Sequence, residues 1–424
     1  MSAFATGLSA FAGDFSAMTA ALIWLIAAAA IAGILFRPKG WPEAVWACLG
    51  AFLLIVLRLI SLQNAMGAIG KGTDVYFFLA GMMILAELAR QQGVFDWIAG
   101  LAVLQSRGSR ARLFGLVYLA GIAVTVFLSN DATAVVLTPA VYASAKRAKV
   151  DPRPLLFACA FVANAASFVL PISNPANLVV YGKALPPLLL WLRAFALPSL
   201  VSVIVTFIIL RWISRRSLSG TVAEREPRPE LSSGGLRAGW GIAATGLVLV
   251  ISSALGMDLG PPTCMAAVVT VLIAAPSAAV KVARQVSWSV IPLVAGLFVL
   301  VEGINGAGAA AALTACLQHL SGLSGSAGRL GASFGIALLS NAINNLPSAL
   351  LVSSVFNVAP QLKGAVLIGV DLGPNLCVSG SLATILWLIA LRREGYHVTA
   401  WEFLKVGTAV MTPALLLATL ALLR

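Results

Sequence analysis

Four clusters of amide, hydroxyl and carboxylate residues interrupt otherwise apolar stretches of the sequence, at 129–131, 173–177, 340–345 and 371–381. Amides and hydroxyls both donate and accept hydrogen bonds, which suits a small neutral polyhydroxy solute better than a strongly charged anion. We therefore predict one shared binding site. Its expected side chains are Ser129, Asn130, Ser173, Asn174, Asn177, Ser340, Asn341, Asn344, Asn345, Asn375, Ser379 and Ser381.

Four carboxylates fall within the apolar stretches, namely Glu87, Asp131, Glu302 and Asp371. A carboxylate at membrane depth is costly and marks a functional site by default. Asp131 and Asp371 lie at chain breaks, and desolvation there would favour proton binding. Glu87 and Glu302 occupy equivalent positions in two related halves. For these two, proton coupling and a structural bond to a neighbouring helix remain open.

The cysteines give no pattern of metal ligands. All five lie singly inside apolar runs, with no CxxC or Cys/His spacing, as expected of small buried hydrophobes. We therefore predict no fixed metal site and no cofactor. Only Cys377 lies beside a predicted binding cluster.

Capping of loose backbone is the alternative explanation for part of the polar set. A helix break leaves N–H groups without partners, and Asn or Ser side chains satisfy them. Asn130 or Asp131, Asn174, Asn345, and Ser379 or Ser381 can serve in this way. The polar residues outnumber the caps that such breaks need, so we expect the surplus to bind a solute.

The composition places these clusters in a membrane protein. Of 424 residues, 60% are hydrophobic and only 10% are charged, which is too apolar for a soluble surface. The length allows about ten spans of roughly 20 residues. The net charge of +13 gathers in short connections such as 107–112, 146–153 and 211–216, as in cytoplasmic loops. This distribution favours the lipid bilayer as partner and argues against nucleic acid.

Chain breakers predict two re-entrant hairpins and two broken helices. Segment 113–142 is apolar but has basic flanks at both ends, so both ends should lie in the cytoplasm, and 327–358 is a second hairpin. Segments 154–180 and 364–390 contain Pro, Gly and Asn in mid-span, which a continuous lipid-exposed helix would not tolerate.

An internal match predicts two inverted halves. The run Ala80-Gly81 to Glu87 matches Ala295-Gly296 to Glu302 at one constant offset. With five spans per half, residues 1–213 and 240–424 must be oppositely oriented, as in secondary transporters. Residues 214–239 should form a flexible cytoplasmic linker. The predicted fold class is an all-α polytopic membrane protein.

Several phrases closely resemble the bacterial arsenite and antimonite efflux permeases of the ArsB type, which belong to the ion transporter superfamily. They are Phe127–Ala134, Leu170–Val179, Asn344–Ser348, Gly369–Asn375 and Gly380–Trp387. The resemblance implies a multi-pass protein of the bacterial inner membrane that exports trivalent arsenic or antimony hydroxides. It also implies a drive by the proton gradient or, with a cytoplasmic ATPase partner, by ATP.

Arsenious acid is a neutral trihydroxy solute at pH 7, so the amide and hydroxyl clusters suit it. Because no three cysteines are placed together, we expect recognition by hydrogen bonds, with Cys377 as a weak candidate for contact with arsenic. Asp131 or Asp371 would exchange a proton for the cargo by alternating access.

A Na⁺/H⁺ or organic-anion transporter of the same superfamily is the alternative, since Ser-Asn clusters also suit Na⁺. An enzyme is not expected, because a hydrolase needs a nucleophile with a base or metal, and no His lies near the Ser-rich breaks.

Overall fold

A computed structural model describes residues 2–222, 229–323, 326–355 and 357–422, without the side chains of residues 2–16 and 183. Nearly all of these residues are helical, and the one β-type contact in the described ranges is an isolated bridge between Ser109 and Thr221. The all-α prediction is confirmed.

The α-helices of the first half are α1 (Ser2–Phe36), α2 (Glu43–Val56), α3 (Leu62–Lys71), α4 (Thr73–Gln91), α5 (Val94–Gln105), α6 (Arg110–Phe127), α7 (Asn130–Ala132), α8 (Thr138–Arg147), α9 (Arg153–Ala165), α10 (Pro175–Tyr181) and α11 (Leu188–Ile213). A π-helical turn, Thr133–Leu137, joins α7 to α8, and a 3₁₀ turn, Pro171–Ser173, precedes α10.

The α-helices of the second half are α12 (Ser233–Ala254), α13 (Gly260–Ala274), α14 (Ala279–Gln285), α15 (Val290–Gly306), α16 (Ala309–Ser321), α17 (Ala327–Ile343), α18 (Asn345–Ser353), α19 (Lys363–Leu372), α20 (Leu382–Arg393) and α21 (Ala400–Leu420). Two 3₁₀ turns, Gly373–Asn375 and Val378–Gly380, separate α19 from α20.

Single helices account for only part of the predicted membrane crossings. Within the described residues five helices are long and apolar enough to span a bilayer, or up to eight if each of three bent pairs is one span. The helices α2, α5 and α9 are apolar but shorter. A broken span is not counted in this way, because each of its two helices is too short to cross the bilayer alone. The count of about ten spans therefore stays a prediction.

Helices of the two halves pack against each other in a reciprocal pattern. α4 lies on α13, and α15 lies on α2. A Cβ at Gly81 would lie 2.8 Å from the backbone of Thr263, and one at Gly296 would lie 2.8 Å from the backbone of Ala47. These glycines are the matched pair of the internal repeat. Their missing side chains allow close approach of the helix backbones, as small residues do between membrane helices.

The chain folds back at both predicted hairpins. In the first, the Thr125 and Thr133 hydroxyls lie 2.8 Å apart across the turn at Ser129. In the second, α17 and α18 pack together on either side of Asn344, which has a positive φ of 78°. Asn is one of the few residues besides Gly that tolerates this region.

The predicted linker is shorter than expected. α12 begins at Ser233, and the Ser232 hydroxyl accepts a hydrogen bond from Gly235 N–H at 2.9 Å. The Ser-Gly-rich stretch is thus a capped helix start rather than flexible chain, because Ser is a strong N-cap residue. Val222 N–H donates to Gly108 O at 2.8 Å, which fixes the first part of the linker. The charged stretch 225–228 lies outside the described residues.

Candidate functional site

Each of the four breaks is capped by a side chain of the polar set. The caps are Ser129 for α7, Asn174 for α10, Asn344 for α18 and Ser381 for α20. Asn174 was predicted, as was Ser381 of the Ser379-or-Ser381 pair. At the two hairpins the cap lies one residue earlier than Asn130 and Asn345, which instead begin their helices. Ser129 and Asn344 also have the separation of the matched glycines Gly81 and Gly296.

Asp371 connects the two broken helices. It is fully buried, and Asn174 Nδ2 donates to its Oδ1 atom at 2.8 Å. Its second oxygen, Oδ2, is buried without a hydrogen-bond partner. A buried carboxylate with one free oxygen is costly in the charged form, so this position favours binding a proton or a cation.

Asn341 organises the second break from the last turn of α17. Its Nδ2 donates to Gly373 O at 2.8 Å and to Ala337 O at 2.7 Å. Its Oδ1 accepts from Cys377 N–H at 3.1 Å, and the Cys377 thiol lies 3.0 Å from the same oxygen. The Asn341 side chain therefore joins the hairpin to the broken helix.

Ser379 and Cys377 complete this cluster. Ser379 Oγ donates to Asn341 O at 3.1 Å and lies 2.9 Å from Cys377 Sγ, while Asn344 Nδ2 donates to Ser379 O at 3.2 Å. All five cysteines are free thiols. In the described part of the chain no three His, Cys, Asp or Glu side chains form a metal-binding group.

Sequence reasoning missed Asn164, a fully buried amide on α9. Asn164 Nδ2 donates to Asn375 Oδ1 at 3.0 Å, and Ser381 Oγ donates to Asn164 Oδ1 at 3.4 Å. Asn375 Nδ2 donates in turn to Phe161 O at 3.0 Å. One signal could have found it. The same three residues occur as Leu128-Ser129-Asn130 and as Leu339-Ser340-Asn341, and Asn164 and Asn375 have the same separation in the sequence as these two phrases.

Some polar side chains of the first broken helix form hydrogen bonds within the same segment. Asn177 Nδ2 donates to Ser167 O at 2.8 Å, and its Oδ1 is buried without a partner. Ser173 Oγ donates to Val126 O at 3.4 Å, near the turn of the first hairpin. The amide of Asn130 accepts from Asp131 N–H at 2.9 Å. Of these contacts, the one between Ser173 and Val126 joins the first hairpin to the first broken helix.

Among the described residues of the predicted site, three that are fully buried retain unpaired polar atoms, which are Ser340 Oγ, Asp371 Oδ2 and Asn177 Oδ1. Buried polar atoms are nearly always paired, and each exception asks for an explanation such as a bound molecule or ion. The predicted set thus divides into side chains whose polar atoms bond within the protein, such as Asn375 and Asn341, and side chains that keep an unpaired polar atom.

Glu87 and Glu302 both bond to neighbouring residues. Glu87 pairs with Arg90 at 2.6 Å and accepts from Gln91 at 2.7 Å. Glu302 pairs with Lys71 on α3 at 2.9 Å. Asp131 is partly buried, and no hydrogen bond to its carboxylate is found among the described residues.

A cavity of about 940 Å³ lies at the far ends of α10 and α18 from their caps. Its lining includes Lys71, Asp74, Tyr181, Asp258, Glu302 and Asn357. We call it the vestibule. It lies between the helices α4 and α15 and the ends of α10 and α18, and its described lining contains no residue of the four polar clusters.

Comparison with known proteins defines the class. The family model described as citrate transporter (CitMHS) matches residues 24–379, and the chain belongs to this family of membrane transporters. It is a multi-pass protein of the bacterial inner membrane.

The resemblance to ArsB-type permeases is also confirmed. An arsenical pump membrane protein of Escherichia coli is 26% identical over 92% of this chain and 95% of its own length. That of Yersinia enterocolitica is 27% identical over 91% and 92%. Among solved structures, the Alcanivorax borkumensis YdaH transporter is similar with a TM-score of 0.48 and 15% identity, covering 89% of this chain and 97% of that one.

Proposed function

We propose that this protein exports trivalent arsenic or antimony hydroxides in exchange for protons. The name of its relatives, arsenical pump membrane protein, supports the cargo class. The observation that carries the proposal is that two hydrogen-bonding atoms have no partner among the described residues, Ser340 Oγ near the end of α17 and Asn177 Oδ1 on α10. The groups that bond to one another around the second break are amides, hydroxyls, a thiol and backbone groups. Such groups match a neutral trihydroxy solute.

Asp371 is our choice for the proton carrier. Its free Oδ2 can hold a proton, while Asn174 can donate to Oδ1 in either protonation state. Exchange of one outer proton for one neutral solute would move positive charge inward, so both the pH gradient and the membrane potential would drive export. Asp131 is the second candidate, because it lies at the other hairpin turn.

Alternating access would follow from movement of the hairpins and broken helices against the scaffold. Two features support inverted halves. The cross-half packing is reciprocal, α4 on α13 and α15 on α2. The basic segments 107–112 and 146–153, predicted to be cytoplasmic, contact other parts of the chain through the Ser109–Thr221 bridge and the Arg153–Glu402 ion pair, and neither segment is among the described residues that line the vestibule.

A Na⁺/H⁺ or organic-anion transporter is the alternative function. Two findings support this alternative. The family model that matches the chain is described as citrate transporter, and one carboxylate oxygen of Asp371 has no partner among the described residues. A Na⁺ requirement for uptake into everted vesicles would select this alternative.

The test is arsenite efflux from cells that lack other exporters, with and without a proton-collapsing ionophore. We expect expression of this chain to lower internal arsenite, and we expect the ionophore to abolish the effect. Efflux that survives the ionophore but needs a cytoplasmic ATPase would replace proton exchange by ATP drive. No arsenite efflux in the presence of well-expressed protein would overturn the cargo assignment.

The role of thiols is tested separately. Replacement of all five cysteines by Ser or Ala should leave arsenite resistance intact, because we expect recognition through hydrogen bonds. Restoring Cys377 alone serves as the control. Loss of resistance in the cysteine-free protein, recovered by Cys377, would show that arsenic is held by sulfur.

A further inference from the structure

A second, smaller cavity of about 40 Å³ lies at the edge of the vestibule. Asp74 and Asp258 line both cavities, and Ser253 lines the smaller one. The volume slightly exceeds the roughly 30 Å³ that one water molecule occupies in the liquid. It is therefore large enough for one hydrated or partly hydrated small ion.

The hydroxyl of Ser253 is the feature that points to a ligand. The residue is only 7% exposed, and its Oγ atom is buried without a hydrogen-bond partner. A hydroxyl in this position normally finds a partner in the protein or a bound species. Since Ser253 lines the small cavity, an oxygen-binding ion there would supply that partner.

The charges around the cavity select a cation. Asp74 starts α4 and Asp258 immediately precedes α13, and the two carboxylates are close enough to repel each other. The vestibule lysine, Lys71, is already paired with Glu302 at 2.9 Å. Among the ion pairs found in the described residues, none involves Asp74 or Asp258.

The local backbone contributes partial charges of both signs. Ser253 lies in the last turn of α12, whose C-terminal carbonyl groups carry partial negative charge, whereas the first turns of α4 and α13 carry partial positive charge. Gly260 N–H donates to Asp74 Oδ1 at 2.6 Å, which orients this carboxylate at the junction of α4 and α13. A carboxylate has about four lone-pair sites, so the backbone bonds to Asp74 leave acceptors for an ion.

We propose that Asp74, Asp258 and Ser253 form a binding site for a divalent cation of the Ca²⁺ type. Carboxylates, a hydroxyl and water are the oxygen ligands that Ca²⁺ takes in irregular geometry. The bound ion would hold α4, α12 and the start of α13 together. Leu178 and Gly182, at the end of the first broken helix, line the same cavity, so the ion would also adjoin the element that carries the Asn174 cap.

The experiment is titration of purified full-length protein with CaCl₂, followed by calorimetry and by thermal unfolding. We expect saturable binding with a dissociation constant of roughly 10⁻⁴–10⁻³ M, as for partly exposed sites, and a rise in Tm with CaCl₂. MgCl₂ should bind more weakly, because Mg²⁺ demands near-ideal octahedral geometry.

Two variants are compared with one control. Asp258→Asn should weaken Ca²⁺ binding by about tenfold or more, since ligand charge sets affinity, and Ser253→Ala should weaken it less. Asp96→Asn, an exposed acid on α5, should not change the binding.

Absence of saturable Ca²⁺ binding would overturn the proposal. So would binding that Asp258→Asn and Ser253→Ala leave unchanged. Neither readout depends on arsenite, so failure here is distinct from failure of the proposed transport function.

Discussion

Asp371 and Asn174 share one hydrogen bond across two chain segments that are far apart in the sequence. An amide can serve either a carboxylate or a carboxylic acid, so the pair tolerates gain and loss of a proton. This property distinguishes Asp371 from Glu87, whose ion pair with Arg90 would lose its attraction on protonation.

The first prediction concerns this carboxylate. Asp371→Asn keeps an acceptor for Asn174 but removes the exchangeable charge, so the protein should fold while proton-driven arsenite accumulation falls by about an order of magnitude, the typical size of ligand coupling. Arsenite transport into everted vesicles measures it. Asp96→Asn is the exposed control. Unchanged proton coupling in Asp371→Asn would transfer the role to Asp131.

Two serines of α17 give a matched pair for the second prediction. Both Ser333 and Ser340 are fully buried, but Thr419 donates to Ser333 Oγ at 2.8 Å, whereas Ser340 Oγ has no partner. Ser333→Ala should lower the free energy of unfolding by about 1 kcal/mol, because it removes a buried hydrogen bond. Ser340→Ala should leave stability nearly unchanged.

The two serine variants should have the opposite order of effects on arsenite transport. Ser340→Ala should raise the arsenite concentration for half-maximal transport by up to about tenfold, the equivalent of one hydrogen bond. Ser333→Ala should not raise it. If both variants lose only stability, Ser340 is a structural residue and does not contact cargo.

At the scale of elements, the two broken helices are joined at their centres. Asn164 on α9 donates a hydrogen bond to Asn375 in the second break at 3.0 Å, and Ser381, the cap of α20, donates to Asn164. Because all three side chains are fully buried, loss of one partner leaves another unsatisfied. This arrangement favours movement of the broken helices as one unit.

The third prediction tests that connection by a double-mutant cycle. Asn164→Ala and Asn375→Ala should each lower stability by about 1–3 kcal/mol, the cost of an unsatisfied buried group. The double variant should lose less than their sum, because the sites share one bond. Asn64→Ala, on the exposed surface of α3, is the control. Strict additivity would mean that the two amides act independently.

At the scale of the whole molecule, reciprocal packing of α4 on α13 and α15 on α2 creates a scaffold from both halves. The vestibule opens where this scaffold faces α10 and α18. Oppositely oriented halves would explain why equivalent glycines, Gly81 and Gly296, serve the same close contact twice.

The fourth prediction tests this orientation by labelling single cysteines in a cysteine-free background. Gln63→Cys and Leu255→Cys should react with a membrane-impermeant maleimide in intact cells. Ser219→Cys and Glu394→Cys should react only after permeabilisation. All four positions are exposed, so accessibility depends on the side of the membrane. Labelling of Gln63→Cys and Ser219→Cys from the same side would disprove the predicted topology.

The sequence by itself determined the class of the protein and the location of its interruptions. Long apolar runs require helices in a bilayer, and Pro, Gly and Asn within them require breaks, since both effects act over a few neighbouring residues. The turns near Ser129 and Asn344 and the breaks before Asn174 and Ser381 lie inside the predicted segments for this reason.

Only the tertiary structure decided which polar side chains form hydrogen bonds within the protein and which keep an unpaired polar atom. Both polar atoms of the Asn375 side chain bond to the protein, through Asn164 and Phe161, while the Ser340 hydroxyl and one oxygen of Asp371 have no partner among the described residues. The last part of the predicted linker, too, is a helix, which begins at Ser233 and is capped by Ser232. A hydrogen bond between side chains distant in the sequence depends on how the helices pack, and local patterns of residue type carry no record of that packing.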